Sequence, residues 1–475
     1  MSHHKDHKDK DKKKKTLDSS YNFQETDNYH SHEYLINQGK DMASDLTQDQ
    51  VSEYKVQDRN VFDILKVREQ YLVKELIPVK YQRMSANPFS FYRGTADVMT
   101  HDLAANPSSN IWTIICGDAH LANFGFFASP ERQLMFDVND FDESRVSYWE
   151  YDLKRYLVSA LLVAENLKFD PDKNDDFLKN IVDLYKNTLK NLADLPAMER
   201  LLFPNTVNNI ESAFGSNMDS DSQKLLHKAV KKSKVSDTNK ALTKYTKVNS
   251  DGKREFIENA PVTERISDDD YSKIISGYKE YVQSTRSDIR LFLSQFDVVD
   301  LIRHSVGVGS VGTLCYLLLL QNSDGSYLML QIKEALPISN GKEVYAGKDS
   351  QAQNIINCQR ILQSASDPFL GAFVTDTKNF YVRQFKDMKG SINLDKLDWD
   401  TYRGYVEVCI ILLARAHSQS SSFPMIIGFL ESHDWMNQAF LDYAKNYEKQ
   451  VMFDYSVFVS KVGTDDTGSK EGKNG

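Results

Sequence analysis

The stretch from Ile111 to Glu143, IWTIICGDAHLANFGFFASPERQLMFDVNDFDE, constrains this chain more than any other. An apolar run, Ile111 to Cys116, meets Gly117-Asp118 at once, and Asn123 follows five positions after Asp118. Phe124 to Phe127, a Pro130-Glu131 turn and Leu134 to Val138 then read as strand, turn and strand, closing on Asn139-Asp140-Phe141-Asp142-Glu143. Apolar strands that run into polar loops place reactive groups at the edge of a rigid scaffold. The order also matches the parts used in phosphoryl transfer: an Asp at the acceptor hydroxyl, an Asn that holds a metal, and a later Asp that holds metal against the phosphates. A buried Gly-Asp turn with an acidic surface loop is the plain structural alternative, and the joint spacing argues against it.

A second informative block lies much later. Val306-Gly307-Val308-Gly309-Ser310-Val311-Gly312 contains a GxGxxG pattern, followed by the apolar run Thr313 to Leu320. Asn322-Ser323-Asp324-Gly325 is a hairpin signal, and Tyr327 to Ile332 reads as a further strand ending at Lys333. A dinucleotide-binding fold needs a helix directly after the glycines. This chain has strands there, so the pattern is that of a glycine-rich loop over a nucleotide, with Lys333 neutralising the phosphates. Glycines let the backbone close over such a ligand. Gln351 to Gln363 reads as the next helix but carries no Glu to pair with Lys333; Glu343 precedes it, and Gln359 or Asn354 would be neutral partners.

GDAHLANFG and NDFDE resemble the GDxHxxN and DFD motifs of aminoglycoside and choline phosphotransferases, in the protein-kinase-like superfamily. FYRGTADVM, WEYDLKR, VGVGSVGT, LQIKEA and YVRQFKDMKGS, in order with those motifs, resemble bacterial domain-of-unknown-function family 2252 from about Asn60 onward. The resemblance implies an α+β, bilobal, protein-kinase-like fold, with ATP and Mg as cofactors. It implies Asp118 at the acceptor hydroxyl, His120 supporting the loop or acting chemically, and Asn123 and Asp140 holding Mg with Asp142 as helper. Gly307, Gly309, Ser310 and Gly312 would cover the phosphates beside Lys333. Arg93, in FYRGTADVM, would be a phosphate or carboxylate fork; a structural ion pair is the other reading. Asp152 would brace the catalytic loop, a role compatible with capping its own helix. The catalytic motifs precede the glycine-rich block, which implies circular permutation, allowed where domain termini lie close together. A conventional small lobe between Lys80 and Ser109 is disfavoured because that span is too short.

The remaining chain sets boundaries. Residues 1–45 begin HHKDHKDKDKKKK and read as a disordered polar tail; residues 46–300 read as a helical part with the catalytic and metal loops and a helical insert. Residues 301–392 read as the nucleotide lobe, 393–462 as closing helices and 463–475 as a tail. Asn60 is expected to cap a helix that Pro78 stops, and Asn87-Pro88 to form a turn. Lys231, Lys232 and Lys234 form a small basic patch, most simply a solvated face. Net charge is −9, which argues against a general nucleic-acid binder. The four cysteines are far apart, which disfavours zinc or a disulfide framework and fits a reducing, cytoplasmic setting, with signal-less secretion left open. No run reaches the roughly 18 apolar residues that span a bilayer.

The expected activity is therefore an ATP- and Mg-dependent phosphotransferase acting on a hydroxyl of an unknown small-molecule or protein acceptor. The alternatives are a nucleotide-binding pseudoenzyme with a regulatory role, an AMP-transferring variant, and a metal-dependent hydrolase built on Asp118, His120, Asp137, Asp140 and Asp142.

Overall fold

Short polar side chains start most of the helices. Ser31, Asn60, Asn87, Asp170, Ser267, Ser350 and Asp398 each accept a hydrogen bond from a backbone amide two or three residues on, satisfying donors that the helix cannot. The computed structural model describes residues 30–206, 208–209, 238–305, 311–338, 350–376, 378–385 and 390–468. Helices α1 (His32–Ser44), α2 (Gln48–Ser52), α3 (Val61–Glu69), α4 (Ile77–Met84), α5 (Pro88–Arg93) and α6 (Ala96–Ala104) come first. Strands β1 (Trp112–Ile115), β2 (Phe124–Ala128), β3 (Leu134–Val138) and β4 (Arg145–Tyr148) follow, then α7 (Glu150–Asn166), α8 (Pro171–Ala193), α9 (Ala197–Leu202) and α10 (Thr238–Tyr245). After β5 (Thr246–Val248), β6 (Arg254–Phe256) and β7 (Thr263–Glu264) come α11 (Asp268–Ser284) and α12 (Ser287–Leu293). The chain continues through β8 (Phe296–His304), β9 (Cys315–Asn322), β10 (Tyr327–Glu334), α13 (Gln351–Leu362), β11 (Gly371–Thr375) and β12 (Lys378–Gln384). It ends in α14 (Trp399–His417), α15 (Phe423–Glu431) and α16 (Met436–Gly468).

The architecture is α+β, as expected. A six-stranded antiparallel sheet runs β11-β12-β10-β9-β8-β7. Strand alternation gives it two faces. Leu328, Leu330, Ile332, Tyr316, Leu318, Phe380 and Val382 form one apolar cluster with Ile274, Tyr278 and Tyr281 of α11. Gln331 and Lys333 alternate onto the opposite face and lie beside Arg383 and Tyr381 of β12 in register. The hairpin expected at Asn322 to Gly325 is present, with Gly325 at φ 84°.

The larger core joins α7, α8, α14 and α16 with the hairpins β1-β4 and β2-β3. Fully buried Trp149 stacks on Tyr185, with ring centroids 5.9 Å apart. Tyr405 of α14 donates to the Leu121 carbonyl at 2.7 Å, so α14 packs directly beneath the Asp118 to Asn123 loop. Among the described residues no helix is long and apolar enough to cross a membrane. All four cysteines are buried and unpaired.

Several expectations are corrected. The segment read as a disordered tail to residue 45 contains α1. A Cβ at Gly39 would lie 1.9 Å from the Met425 carbonyl oxygen, and one at Gly428 equally close to that of Ile36. Helices α1 and α15 thus touch backbone to backbone through two glycines, a contact that leaves almost no hydrophobic stripe to read. Pro78 does not stop a helix: α3 ends at Glu69, and Pro78 sits in the first turn of α4, where a missing N–H is harmless. Pro88 likewise opens α5. The boundary placed at residue 300 falls inside β8, and β7 already belongs to the large sheet. The lysine patch at 231–234, Glu343 and most of the segment 386–391 lie outside the described residues.

Candidate functional site

The site is built around a turn that only glycine fits. Gly117 has φ 77°, and a Cβ there would sit 2.0 Å from the Glu143 carbonyl oxygen. The loop after β1 is therefore pressed against the end of the Asn139 to Glu143 loop, and Asp118 is delivered beside Asp140. Helix α7 fixes this turn from below. Asp152 accepts from the Cys116 amide at 2.8 Å and the Gly117 amide at 2.9 Å, and meets His417 Nε2 at 3.2 Å. His417 and the two amides hold the Asp152 carboxyl below its usual range despite burial, which acts the other way and is the largest influence. Asp152 thus holds the Gly117-Asp118 turn through both amides.

One helical turn further on, Arg155 Nε reaches Asp118 Oδ1 at 2.5 Å. Its Nη2 donates to the Tyr92 carbonyl, and its guanidinium lies 4.3 Å from the Tyr92 ring centroid. Burial pushes the Asp118 carboxyl upward and Arg155 pulls it back. His120 Nε2 is 3.5 Å from Asp118 Oδ2, and its Nδ1 is buried with no hydrogen-bond partner among the described residues. Burial, with Arg93 and Arg155 nearby, holds the His120 pKa well below the usual imidazole range, so the ring is neutral.

Asn123 Nδ2 donates to the Asp118 carbonyl at 2.9 Å and the Asp140 carbonyl at 3.1 Å, tying the two loops together. Two carbonyl partners fix which end of the amide is nitrogen. The other end, Oδ1, is buried without a partner among the described residues. A buried amide oxygen without a partner, on a side chain tied to the Asp140 carbonyl, is an oxygen donor of the kind a hard cation takes, and Asn123 Oδ1 with Asp140 would be the residues to hold Mg. Magnesium is commonly held by one or two carboxylates plus substrate phosphates. Among the described residues no group of three or more His, Cys, Asp or Glu side chains is placed to hold a metal, so a dedicated protein cage is not what this loop offers. Asp137 takes no part: its Oδ2 accepts from Asn205 Nδ2 and the Ser364 amide in the interior.

Lys333, from the centre of the large sheet, forms an ion pair with Asp142 Oδ2, and Tyr381 donates to Asp142 Oδ1 at 2.7 Å. The carboxylate paired with Lys333 thus comes from the other informative block and not from α13. Lys333 holds the Asp142 carboxyl down against burial, and Asp142 in turn raises Lys333. Asp140 moves the other way, up, through burial and repulsion from Asp142. Arg383 completes this wall, its Nε donating to Gln331 Oε1 at 2.8 Å.

A cavity of about 50 Å³ lies at the meeting point, lined by Arg93, Asp118, Asp140, Asp142, Lys80 and Thr313 among others. Of the residues singled out in the sequence, Arg93, Asp118, Asp140 and Asp142 line it, and Lys333, His120 and Asn123 stand directly behind. Gly312, at φ 96°, packs on Leu72 and its carbonyl accepts from the Val73 amide at 2.8 Å, so it anchors the loop end. Gly307, Gly309 and Ser310 lie outside the described residues. Sequence reasoning gave no role to Arg155, Tyr381, Arg383 or Lys80. The first three stand in WEYDLKR and YVRQFKDMKGS, whose signal is a cation or phenol among apolar helix or strand positions.

These features define an α+β protein whose acidic loop and sheet lysine meet in one enclosed polar site. The family model DUF2252, described as an uncharacterized protein conserved in bacteria, matches residues 72–461, and the chain belongs to that family. No curated protein and no solved structure matches the chain.

Proposed function

We propose that the protein is an ATP- and Mg-dependent phosphotransferase with a circularly permuted, bilobal kinase-like fold. The observation that carries this reading is the Lys333–Asp142 ion pair, which brings a nucleotide-lobe lysine to the acidic loop that follows the Gly117-Asp118 turn. Asp118 orients the acceptor hydroxyl and takes its proton. The hydroxyl oxygen bonds to the γ-phosphorus as the bond to the β–γ bridging oxygen breaks, and ADP leaves. Lys333 and Arg383 neutralise phosphate charge on the sheet side. Bound at Asn123 Oδ1 and Asp140, Mg would screen the phosphates and polarise them. A cavity of about 520 Å³ lined by Phe127, Asn139, Leu328, Gln331, Arg383 and Phe385 offers the purine a place beside this wall. Most of the rate comes from fixed charge and positioning, and the acceptor is a small hydroxyl compound or a protein.

A second reading is a nucleotide-binding module that transfers nothing. It is favoured by the hold of Arg155 on Asp118, which occupies one oxygen of the presumed acceptor-side carboxylate. AMP transfer would use the same residues with attack at the α-phosphorus. The test is incubation of purified protein with Mg-ATP and a panel of hydroxyl compounds, read by mass gain on the product. Phosphate gain that vanishes in Asp118→Ala and Asp140→Ala supports the proposal. Turnover that survives both substitutions sinks it, AMP gain replaces it by the variant, and nucleotide binding without any gain selects the module.

A further inference from the structure

Three cations around the acidic cavity have an opposite partner. Arg68 pairs with Glu143, Arg155 with Asp118, and Lys333 with Asp142. Among the described residues Lys80 and Arg93 form no ion pair, although the charges of Asp118 and Asp140 act on Arg93. Lys80 is only 5% exposed, lines the cavity, and makes no hydrogen bond or ion pair among the described residues. Arg93 lines the same cavity, and its Nε is buried with no hydrogen-bond partner among the described residues.

Local packing brings the segments that carry them to the same cavity. Gly94, next to Arg93, lies so close to α4 that a Cβ would come within 2.7 Å of the Met84 side chain. Lys80 and Met84 are one turn apart on the buried face of α4. The sheet wall already supplies Lys333 and Arg383, so this second cation pair, on the helical wall, exceeds what the nucleotide needs. An unpaired buried ammonium is costly unless an anion arrives, and a cavity of about 50 Å³ admits one oxyanion group and little more. Burial and repulsion from Arg68 pull the Lys80 pKa down to about 8, against attraction from Asp97, Glu143 and Glu69. At neutral pH the ammonium keeps its proton, and an incoming anion would supply the counter-charge it lacks.

We infer that Lys80 and Arg93 form an oxyanion-receiving pair for the acceptor, so that the hydroxyl compound presented to Asp118 also carries a phosphate or carboxylate group. This rests on the phosphotransferase reading for the word acceptor; the anion site itself stands apart from it.

The test uses the full chain and thermal unfolding at constant ionic strength, with inorganic phosphate, acetate and Mg-ATP as separate probes. Phosphate or acetate is expected to raise the unfolding temperature of the wild type. Half-saturation is expected to move up about tenfold or more in Lys80→Met and in Arg93→Met, as loss of a charge-assisted hydrogen bond requires. Stronger stabilisation by phosphate assigns a phosphorylated acceptor, and stronger stabilisation by acetate a carboxylated one. Mg-ATP is expected to stabilise Lys80→Met as it does the wild type. Loss of the Mg-ATP effect in Lys80→Met overturns the acceptor assignment, because the pair would then serve the nucleotide. No response of the wild type to either small anion overturns the site altogether. A wild type that answers phosphate but not Mg-ATP supports the anion site and refutes the phosphotransferase reading.

Discussion

Replacing Lys80 by methionine is expected to stabilise the protein. Methionine keeps the apolar stem that α4 buries and removes the ammonium. In the folded protein the Lys80 pKa lies near 8 instead of 10.5, with burial as the leading cause, and that difference corresponds to about 3 kcal/mol against folding at neutral pH. Local relaxation and entry of water reduce the realised gain, so about 1–3 kcal/mol is expected for Lys80→Met at pH 7. The sign with pH follows from linkage. Between the folded and unfolded pKa values the unfolded chain binds the extra proton, so wild-type stability rises as pH climbs from about 8 toward 10.5. The advantage of the variant therefore shrinks to less than half by about pH 9.5. Urea unfolding of both proteins at pH 7 and pH 9.5, followed by circular dichroism, measures it. A variant less stable than wild type at pH 7, or a gain that does not change with pH, would refute the claim that a buried, unpaired charge sits at this position.

Other perturbations probe the scaffold of the site. Gly117→Ala forces a Cβ against the Glu143 carbonyl at a positive φ, and a loss of about 2 kcal/mol or more in denaturant unfolding is expected; a neutral result would mean that the two loops are not pressed together. Asp152→Ala removes the acceptor for two amides and the partner of His417, with an expected loss of about 3–5 kcal/mol. Because the Asp152 carboxyl is held below 3.8, its contribution is present above that pH and is lost as acid titrates the folded group; acid unfolding of Asp152→Asn at a lower pH than wild type would contradict this. Asp142→Asn leaves Lys333 buried without its counter-charge, so a clear loss is expected, and the double variant with Lys333→Met is expected to be less damaged than the two single losses added together. Strict additivity in that cycle would show that the pair does not interact.

How much of this was legible in the sequence depends on distance along the chain. The turn at Asp118, the step to Asn123, the cap at Asn60 and the hairpin at Asn322 to Gly325 are local, and local spacing carries them. Asp152 could be placed because it opens a helix directly after the acidic loop. Helix α1 could not, since its docking rests on Gly39 meeting the backbone at Met425, and glycine adds nothing to an apolar stripe. Pro78 misled because the same residue that ends one helix begins another equally well. The partner of Lys333 was sought in the neighbouring helix, while the structure supplies Asp142 from 191 residues away. Lys80 looked like any lysine on a short helix; only the cavity it lines makes it unusual.

The pairing of Lys333 with Asp142 also sets an order of events during synthesis. The acidic loop leaves the ribosome long before β10 exists, so Asp140 and Asp142 must wait, mutually repelling, for a counter-charge not yet translated. The loop gains its counter-charge only when the late sheet docks.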